Sequence, residues 1–102
     1  MVNSIIRARL QIVDMERSKL IEMCANALAL SPNTVKTRLS IFRSGYVTIP
    51  TRRTGDELSV FLYALGVHPD DQVIDKLSTN SYFRYPPIEY RTKIIDEIKK
   101  ID

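Results

Sequence analysis

The sequence predicts an all-α protein: a compact bundle of about five to six short helices built around two helices that a tight turn joins. Three observations predict it. Apolar residues recur at spacings of three and four along most of the chain, as they do on one side of a helix. Ser31-Pro32 is a strong helix start, because serine accepts hydrogen bonds from free N–H groups and proline suits the first helical position. Ser44-Gly45 and Gly66 are typical helix ends.

Length and composition set the class of protein. A chain of 102 residues with 44% apolar residues is expected to form one globular domain with a modest core. Its apolar runs are shorter than the roughly 20 residues that span a bilayer, and arginines interrupt the apolar N-terminus, unlike in a signal peptide. The single cysteine, Cys24, is predicted to be a small core residue. We therefore expect a cytoplasmic protein without a membrane partner.

Residues 3–13, NSIIRARLQIV, fit two structures. Ile6 and Leu10 follow a helical spacing, whereas the alternation of apolar and polar residues would suit a strand. We favour a helix capped by Asn3 or Ser4, since two helices joined by a tight turn need a third helix packed across them.

The next two helices are the centre of the prediction. The first runs to about Leu28 with Asp14 or Ser18 as its cap, and the second covers about Pro32 to Arg43. The predicted inward residues are Ile21, Cys24, Ala25 and Leu28 on the first helix, Leu30 in the turn, and Val35, Leu39 and Phe42 on the second. The outward residues of the second helix are polar or basic: Asn33, Thr34, Lys36, Thr37, Ser40 and Arg43.

These residues resemble a known motif. Ala25, Leu30-Ser31 and Val35 stand where the bacterial helix-turn-helix has a small residue, a turn plug and a buried β-branched residue. SPNTVKTRLSIFR resembles the recognition helix of LuxR-type and sigma-factor regulators, and DELSVFLYALGVHPDD resembles the end of a phage-repressor domain of the Cro/CI or Xre type. One position departs: the usual turn glycine is Ala29, and a left-handed alanine costs roughly 1 kcal/mol. The resemblance implies a DNA-binding regulator.

Residues 45–55, GYVTIPTRRTG, are predicted to form a loop, with one short strand as the alternative. Two glycines bracket the segment, Pro50 blocks a helix, and residues 46–49 favour extended backbone. Such a loop would place Arg52 and Arg53 near the DNA backbone; simple solvation of both arginines is the alternative.

Two helices follow this loop. The first is predicted from Asp56 to Leu65, where an acidic start suits the positive end of the helix and Gly66 ends it. The second is predicted from about Pro69 to Leu77, with Asp70-Asp71 explained as capping residues. The inward residues are Leu58, Phe61, Leu62 and Leu65 on the first, and Val73, Ile74 and Leu77 on the second.

The C-terminal part is predicted to be an irregular segment and a last helix from about Ile88 to Ile101. Tyr82, Phe83 and Tyr85 are expected to anchor the irregular segment. Isoleucines 88, 94, 95, 98 and 101 are predicted to share one face, which either packs on the core or forms a dimer contact. We therefore divide the chain into a helix-turn-helix domain, residues 1–77, and an extension, residues 78–102.

Charge is distributed unevenly, although the net charge is only +3. Residues 1–54 carry nine Lys/Arg against three Asp/Glu, whereas residues 55–102 carry six against nine. No acidic residue occurs from Met23 to Gly55, the segment that contains the helix-turn-helix. Solvated surfaces normally mix both signs, so the pattern favours a polyanion partner.

The sequence therefore predicts a sequence-specific, double-stranded DNA-binding regulator, expected to be a repressor of phage, plasmid or mobile-element type. The helix that begins at Ser31 would enter the major groove, and its first N–H groups would favour a phosphate. Base edges are predicted for Asn33, Lys36, Thr37 and Ser40, and phosphates for Thr34, Arg38, Arg43, Arg52 and Arg53. A homodimer or higher homo-oligomer would read two half-sites.

The alternative function is a protein-interaction module or an antitoxin on the same scaffold, which would hold RNA polymerase or a partner regulator. An enzyme is not expected, because the sequence has no glycine-rich phosphate loop, no metal-ligand spacing and no nucleophile beside a base. His68 stands alone in a predicted turn. We accordingly expect no metal and no cofactor.

Overall fold

Five helices account for most of the residues that the computed structural model describes, namely 17–44 and 48–101, the side chain of the last residue excepted. They are α1 (Arg17–Leu28), α2 (Pro32–Arg43), α3 (Arg52–Ala64), α4 (Gln72–Leu77) and α5 (Ile88–Ile101). No described residue belongs to a strand, and none of these helices is both long and apolar enough to cross a bilayer. The all-α prediction is confirmed. The helix predicted at 3–13, and residues 45–47 of the predicted loop, lie outside the described residues.

The turn between α1 and α2 is as tight as predicted. Ala29 adopts the left-handed conformation, with φ 55°, and the amide of Leu30 donates to the carbonyl of Ala25 at 3.0 Å, which closes the end of α1. Ser31 then caps α2, since its hydroxyl accepts a hydrogen bond from the amide of Thr34 at 3.2 Å. Alanine therefore keeps the conformation that glycine usually supplies, at a cost of about 1 kcal/mol.

α1 packs against α2, α3 and α5, so its buried face is wider than predicted. Cys24 and Ala25 are buried, as expected, whereas Ile21 and Leu28 are only half-buried. The face is completed by Leu20, Met23 and Ala27. Burial raises the pKa of the Cys24 thiol to about 12, which makes it an inert core residue.

One of the two caps predicted for α1 is wrong, and α4 starts later than predicted. Ser18 lies inside α1 and is not its cap; Asp14, the alternative cap, lies outside the described residues. α4 begins at Gln72 rather than Pro69, because Asp71 caps it by accepting a hydrogen bond of 3.1 Å from an amide two residues further on. The residues of α4 that were predicted to face inward, Val73, Ile74 and Leu77, are all buried.

α3 begins at Arg52 and not at Asp56, so the prediction of a loop through residue 55 is wrong. Thr51 caps the helix, because its hydroxyl accepts a hydrogen bond of 3.2 Å from the amide three residues further on. Gly55 consequently lies inside a helix, where glycine costs about 1 kcal/mol relative to alanine. A Cβ atom at this position would overlap the carbonyl oxygen of Tyr82. The glycine therefore serves close packing of the C-terminal segment rather than a helix end.

α3 forms the centre of the core. Every residue from Gly55 to Leu62 is buried. This part of α3 is therefore buried on all sides, and not only along the side of the predicted inward residues. Leu65, predicted to face inward, is only half-buried. The ring of Phe61 meets Phe42 of α2 edge to face, with centroids 5.7 Å apart.

α5 has the predicted bounds and packs on α1 and α3. Its isoleucines do not share one buried face. Ile94 is buried, whereas Ile88, Ile95 and Ile98 are 66%, 41% and 41% exposed. Since successive residues are about 100° apart around a helix, Ile88 and Ile95 lie well away from Ile94, whereas Ile98, four residues on, lies nearer to it and is still 41% exposed.

The irregular segment before α5 is anchored by two of the three predicted aromatic residues. Phe83 is buried, and Tyr85 is half-buried with its ring 5.9 Å from that of Tyr63, edge to face. Tyr82 is 45% exposed, so its predicted role as an anchor is wrong. Its backbone makes the close approach to α3 instead.

Replacing Gly55 by alanine tests this close approach. A Gly→Ala change inside a helix normally stabilises it by about 0.5–1 kcal/mol. Here we expect Gly55→Ala to lower the free energy of unfolding by about 1–3 kcal/mol, because the added methyl group meets backbone atoms that cannot rotate away. Urea unfolding followed by circular dichroism measures the change. A gain in stability would show that the C-terminal segment does not pack on α3.

Candidate nucleic-acid interface

α2 lies at the surface with one side buried and the other exposed. Val35, Leu39 and Phe42 are buried, as predicted, and Leu30 of the turn is half-buried against the same core. Because residues advance by about 100° around a helix, these contacts leave one polar side facing solvent. Its exposed residues are Asn33, Lys36, Thr37 and Ser40.

Most hydroxyl groups near the start of α2 bond to the helix itself. The hydroxyls of Ser31 and Thr34 are 2.9 Å apart, and that of Thr37 donates to the carbonyl of Asn33 at 3.0 Å. Within the described part of the chain, the side chains of Asn33 and Lys36 have no hydrogen-bond partner. Their donors and acceptors are available to a ligand.

Two buried carboxylates at the start of α3 are each bound by an arginine from another segment. Glu57, 2% exposed, accepts a hydrogen bond of 3.1 Å from Nε of Arg38 on α2. Asp56, 6% exposed, accepts two hydrogen bonds of 3.0 Å from Arg84. A buried carboxylate is stable only with such partners. Arg38, for which the sequence predicted a phosphate contact, therefore ties α2 to α3.

Arg52 and Arg53 lie in the first turn of α3 and not in a loop. Arg52 donates from Nη2 to the carbonyl of Ser81 at 3.1 Å, while Arg53 is exposed and bonds to no other described side chain. Both border a cleft of about 370 Å³ whose other walls include Leu28 and Leu30. The fold thus brings both arginines beside the turn that precedes α2.

Arg17 is a basic residue of this surface that the sequence did not single out. From α1, its Nη2 donates to the hydroxyl of Ser40 at 3.3 Å, which places the guanidinium group on the outward side of α2. Nearby Arg43 is half-buried, and its pKa is lowered first by burial and second by the charge of Arg17. Arg17 was missed because it precedes the acid-free segment and its partner is 23 residues away.

No group of histidine, cysteine and carboxylate side chains that could hold a metal ion occurs within residues 17–44 and 48–101. His68 is exposed.

Comparisons with known proteins find nothing similar to this chain: it matches no protein-family model, no curated protein and no solved structure. The resemblance to helix-turn-helix regulators therefore stays a prediction. Function has to be argued from the surface that α2 and its neighbours form.

The Arg38–Glu57 pair can be tested by removing one partner at a time, because Glu57 is buried whereas Arg38 is half-exposed. Arg38→Ala leaves a buried carboxylate without its partner and is expected to cost about 1–3 kcal/mol of unfolding free energy. Glu57→Gln leaves a half-exposed arginine that water can solvate, so we expect a loss below about 1 kcal/mol. The double variant should recover most of the Arg38→Ala loss. Urea unfolding measures all three, and equal losses in both single variants would contradict this structural role.

Proposed function

We propose that this protein binds double-stranded DNA sequence-specifically through α2 and regulates transcription. One observation carries the proposal: the exposed polar side of a well-capped helix coincides with the acid-free segment from Met23 to Gly55. The acidic residues that follow, Asp56 and Glu57, are buried and bound by arginines. α2 and the first two turns of α3 thus carry exposed basic side chains and no exposed carboxylate, which suits binding to a phosphate backbone.

Asn33 and Lys36 are the side chains proposed to read bases. Residues near the start of a recognition helix penetrate the major groove deepest, and both side chains have free hydrogen-bonding groups. Asparagine suits adenine and lysine suits guanine. Thr37 and Ser40 lie on the same side and would add hydroxyl contacts.

Phosphate contacts are proposed for the residues around that side. Arg43, Arg52 and Arg53 supply charge, and Thr34 and the start of α2 at Ser31 supply polar groups. Arg38 uses only Nε for Glu57 among the described residues and is 49% exposed. Its remaining donors can meet a phosphate while the ion pair holds α2 in place.

The proposal includes a two-fold dimer through α5. Ile88, Ile95 and Ile98 are exposed at spacings of seven and three, which is the pattern of a helix that pairs with another helix. A dimer would place two copies of α2 in successive major grooves, about 34 Å apart. Occupancy of such a site would block RNA polymerase or help to recruit it. A cytoplasmic repressor of phage or plasmid type is the form we propose, by analogy alone.

Selection from a random-sequence duplex pool at two salt concentrations, followed by sequencing of the bound fraction, tests this function. An enriched palindromic motif is the expected result. Binding that selects no sequence and disappears with salt would leave a basic surface without sequence recognition. No binding would favour the alternative of a protein-interaction module.

Lys36→Ala tests base reading. We expect a loss of about 1–3 kcal/mol in discrimination between the selected duplex and a scrambled one, because one base contact is removed. Lys93→Ala on α5, also an exposed lysine on a helix, is the matched control and should change nothing. Fluorescence anisotropy with both duplexes measures the difference. An equal loss on both sequences would make Lys36 a phosphate contact.

Ile98→Asp tests the dimer. A charge within an apolar helix pair should raise the dimer dissociation constant at least about tenfold, equivalent to roughly 1.4 kcal/mol. The monomer should stay folded, since Ile98 is exposed. Ile41→Asp on α2 is the control, because Ile41 is also 41% exposed but belongs to another helix. Sedimentation velocity reports the oligomeric state; a wild-type protein that is monomeric at every concentration would contradict the dimer.

A further inference from the structure

We propose that Arg17, held by its hydrogen bond to Ser40, and Arg43 form a binding site for one backbone phosphate of duplex DNA at the carboxyl end of α2; this site is called the seat below. This inference rests on the proposed function and adds a ligand contact from α1, a helix to which the sequence assigned none. The contact is built from two elements, because Arg17 lies in the first turn of α1 and Arg43 in the last turn of α2.

The position of the Arg17 guanidinium group carries the argument. Its Nη2 donates to Oγ of Ser40 at 3.3 Å, although residue 17 is on another helix. Within the described chain, this is the one hydrogen bond that Arg17 makes. A guanidinium group has five N–H donors in a planar fork, and the described residues use one of them. Phosphate and carboxylate are the two common biological anions whose oxygens can accept two parallel hydrogen bonds from such a fork.

The seat also brings two like charges together. The charge of Arg17 disfavours the protonated form of Arg43 and thereby lowers its pKa, in addition to the larger effect of burial. Both guanidinium groups therefore contribute positive charge to the carboxyl end of α2, which favours an anion there.

The distance between the seat and the base-reading residues suits the rim of a major groove. Arg43 lies seven residues after Lys36, which corresponds to about 10 Å along a helix with 1.5 Å rise per residue. The major groove is about 12 Å wide. With Lys36 in the groove, the carboxyl end of α2 therefore reaches the phosphates that border it.

The test uses the full chain, the duplex enriched from the random pool, and two variants of α1. Arg17→Ala should weaken binding by the same factor on the enriched and on a scrambled duplex, and should reduce the slope of log K against log salt by about 1. Lys19→Ala, an exposed lysine of the same helix, should leave the slope nearly unchanged. Ser40→Ala should reproduce part of the Arg17→Ala loss, because the guanidinium group is no longer held in place.

Duplexes that carry one neutral methylphosphonate in place of a phosphate identify the contact. At one position the substitution should weaken binding by the wild-type protein more than binding by the Arg17→Ala variant, in which only the Arg43 contact to that phosphate is left to lose. If Arg17→Ala behaves like Lys19→Ala on every duplex, the seat is wrong while the proposed function stands. If the wild-type protein binds no duplex, both are wrong. A last measurement uses inorganic phosphate at matched ionic strength. If it raises the melting temperature of wild type but not of Arg17→Ala, while both proteins have the same salt slope on DNA, the seat binds free phosphate. Its assignment to DNA is then overturned.

Discussion

The structure depends on the first two turns of α3, where three consecutive residues are each contacted by another part of the chain. Gly55 lets the backbone of Tyr82 approach, Asp56 binds Arg84, and Glu57 binds Arg38. The first two contacts attach the C-terminal segment, and the third attaches α2. Burying two carboxylates is costly unless arginines reach them, so the geometry of α2 relative to the core is tightly defined.

This constraint has a direct consequence for the basic surface. A chain with acidic residues exposed next to α2 would repel a polyanion, yet the carboxylates nearest to α2 in sequence on its C-terminal side are buried and neutralised. The same arginines that stabilise the fold therefore keep negative charge away from the outward side of α2. Arg38 serves both purposes, because it holds the helix and remains half-exposed beside Asn33 and Thr37.

Features governed by local sequence were predictable. The start of α2 at Ser31-Pro32, its buried residues and the bounds of α5 follow from capping and periodicity. The left-handed position at Ala29 was expected only from the resemblance to the helix-turn-helix. The early start of α3 was not, because a glycine in a helix is explained only by the distant Tyr82. The candidate site divides in the same way into local and distant features. Asn33 and Lys36 could be found from helical spacing. The partner of Arg38 and the placement of Arg17 depend on contacts 19 and 23 residues away along the chain.

The central claim is that α2 and its basic neighbours form the DNA-binding surface. Amide chemical-shift mapping of the ¹⁵N-labelled protein during titration with the enriched duplex tests it most directly. We expect the largest changes at Ser31 to Arg43, at Arg52 and Arg53, and at Arg17, with little change at Lys93 and Lys99 on the exposed side of α5. Changes confined to α5, or no change at saturating duplex, would contradict the claim.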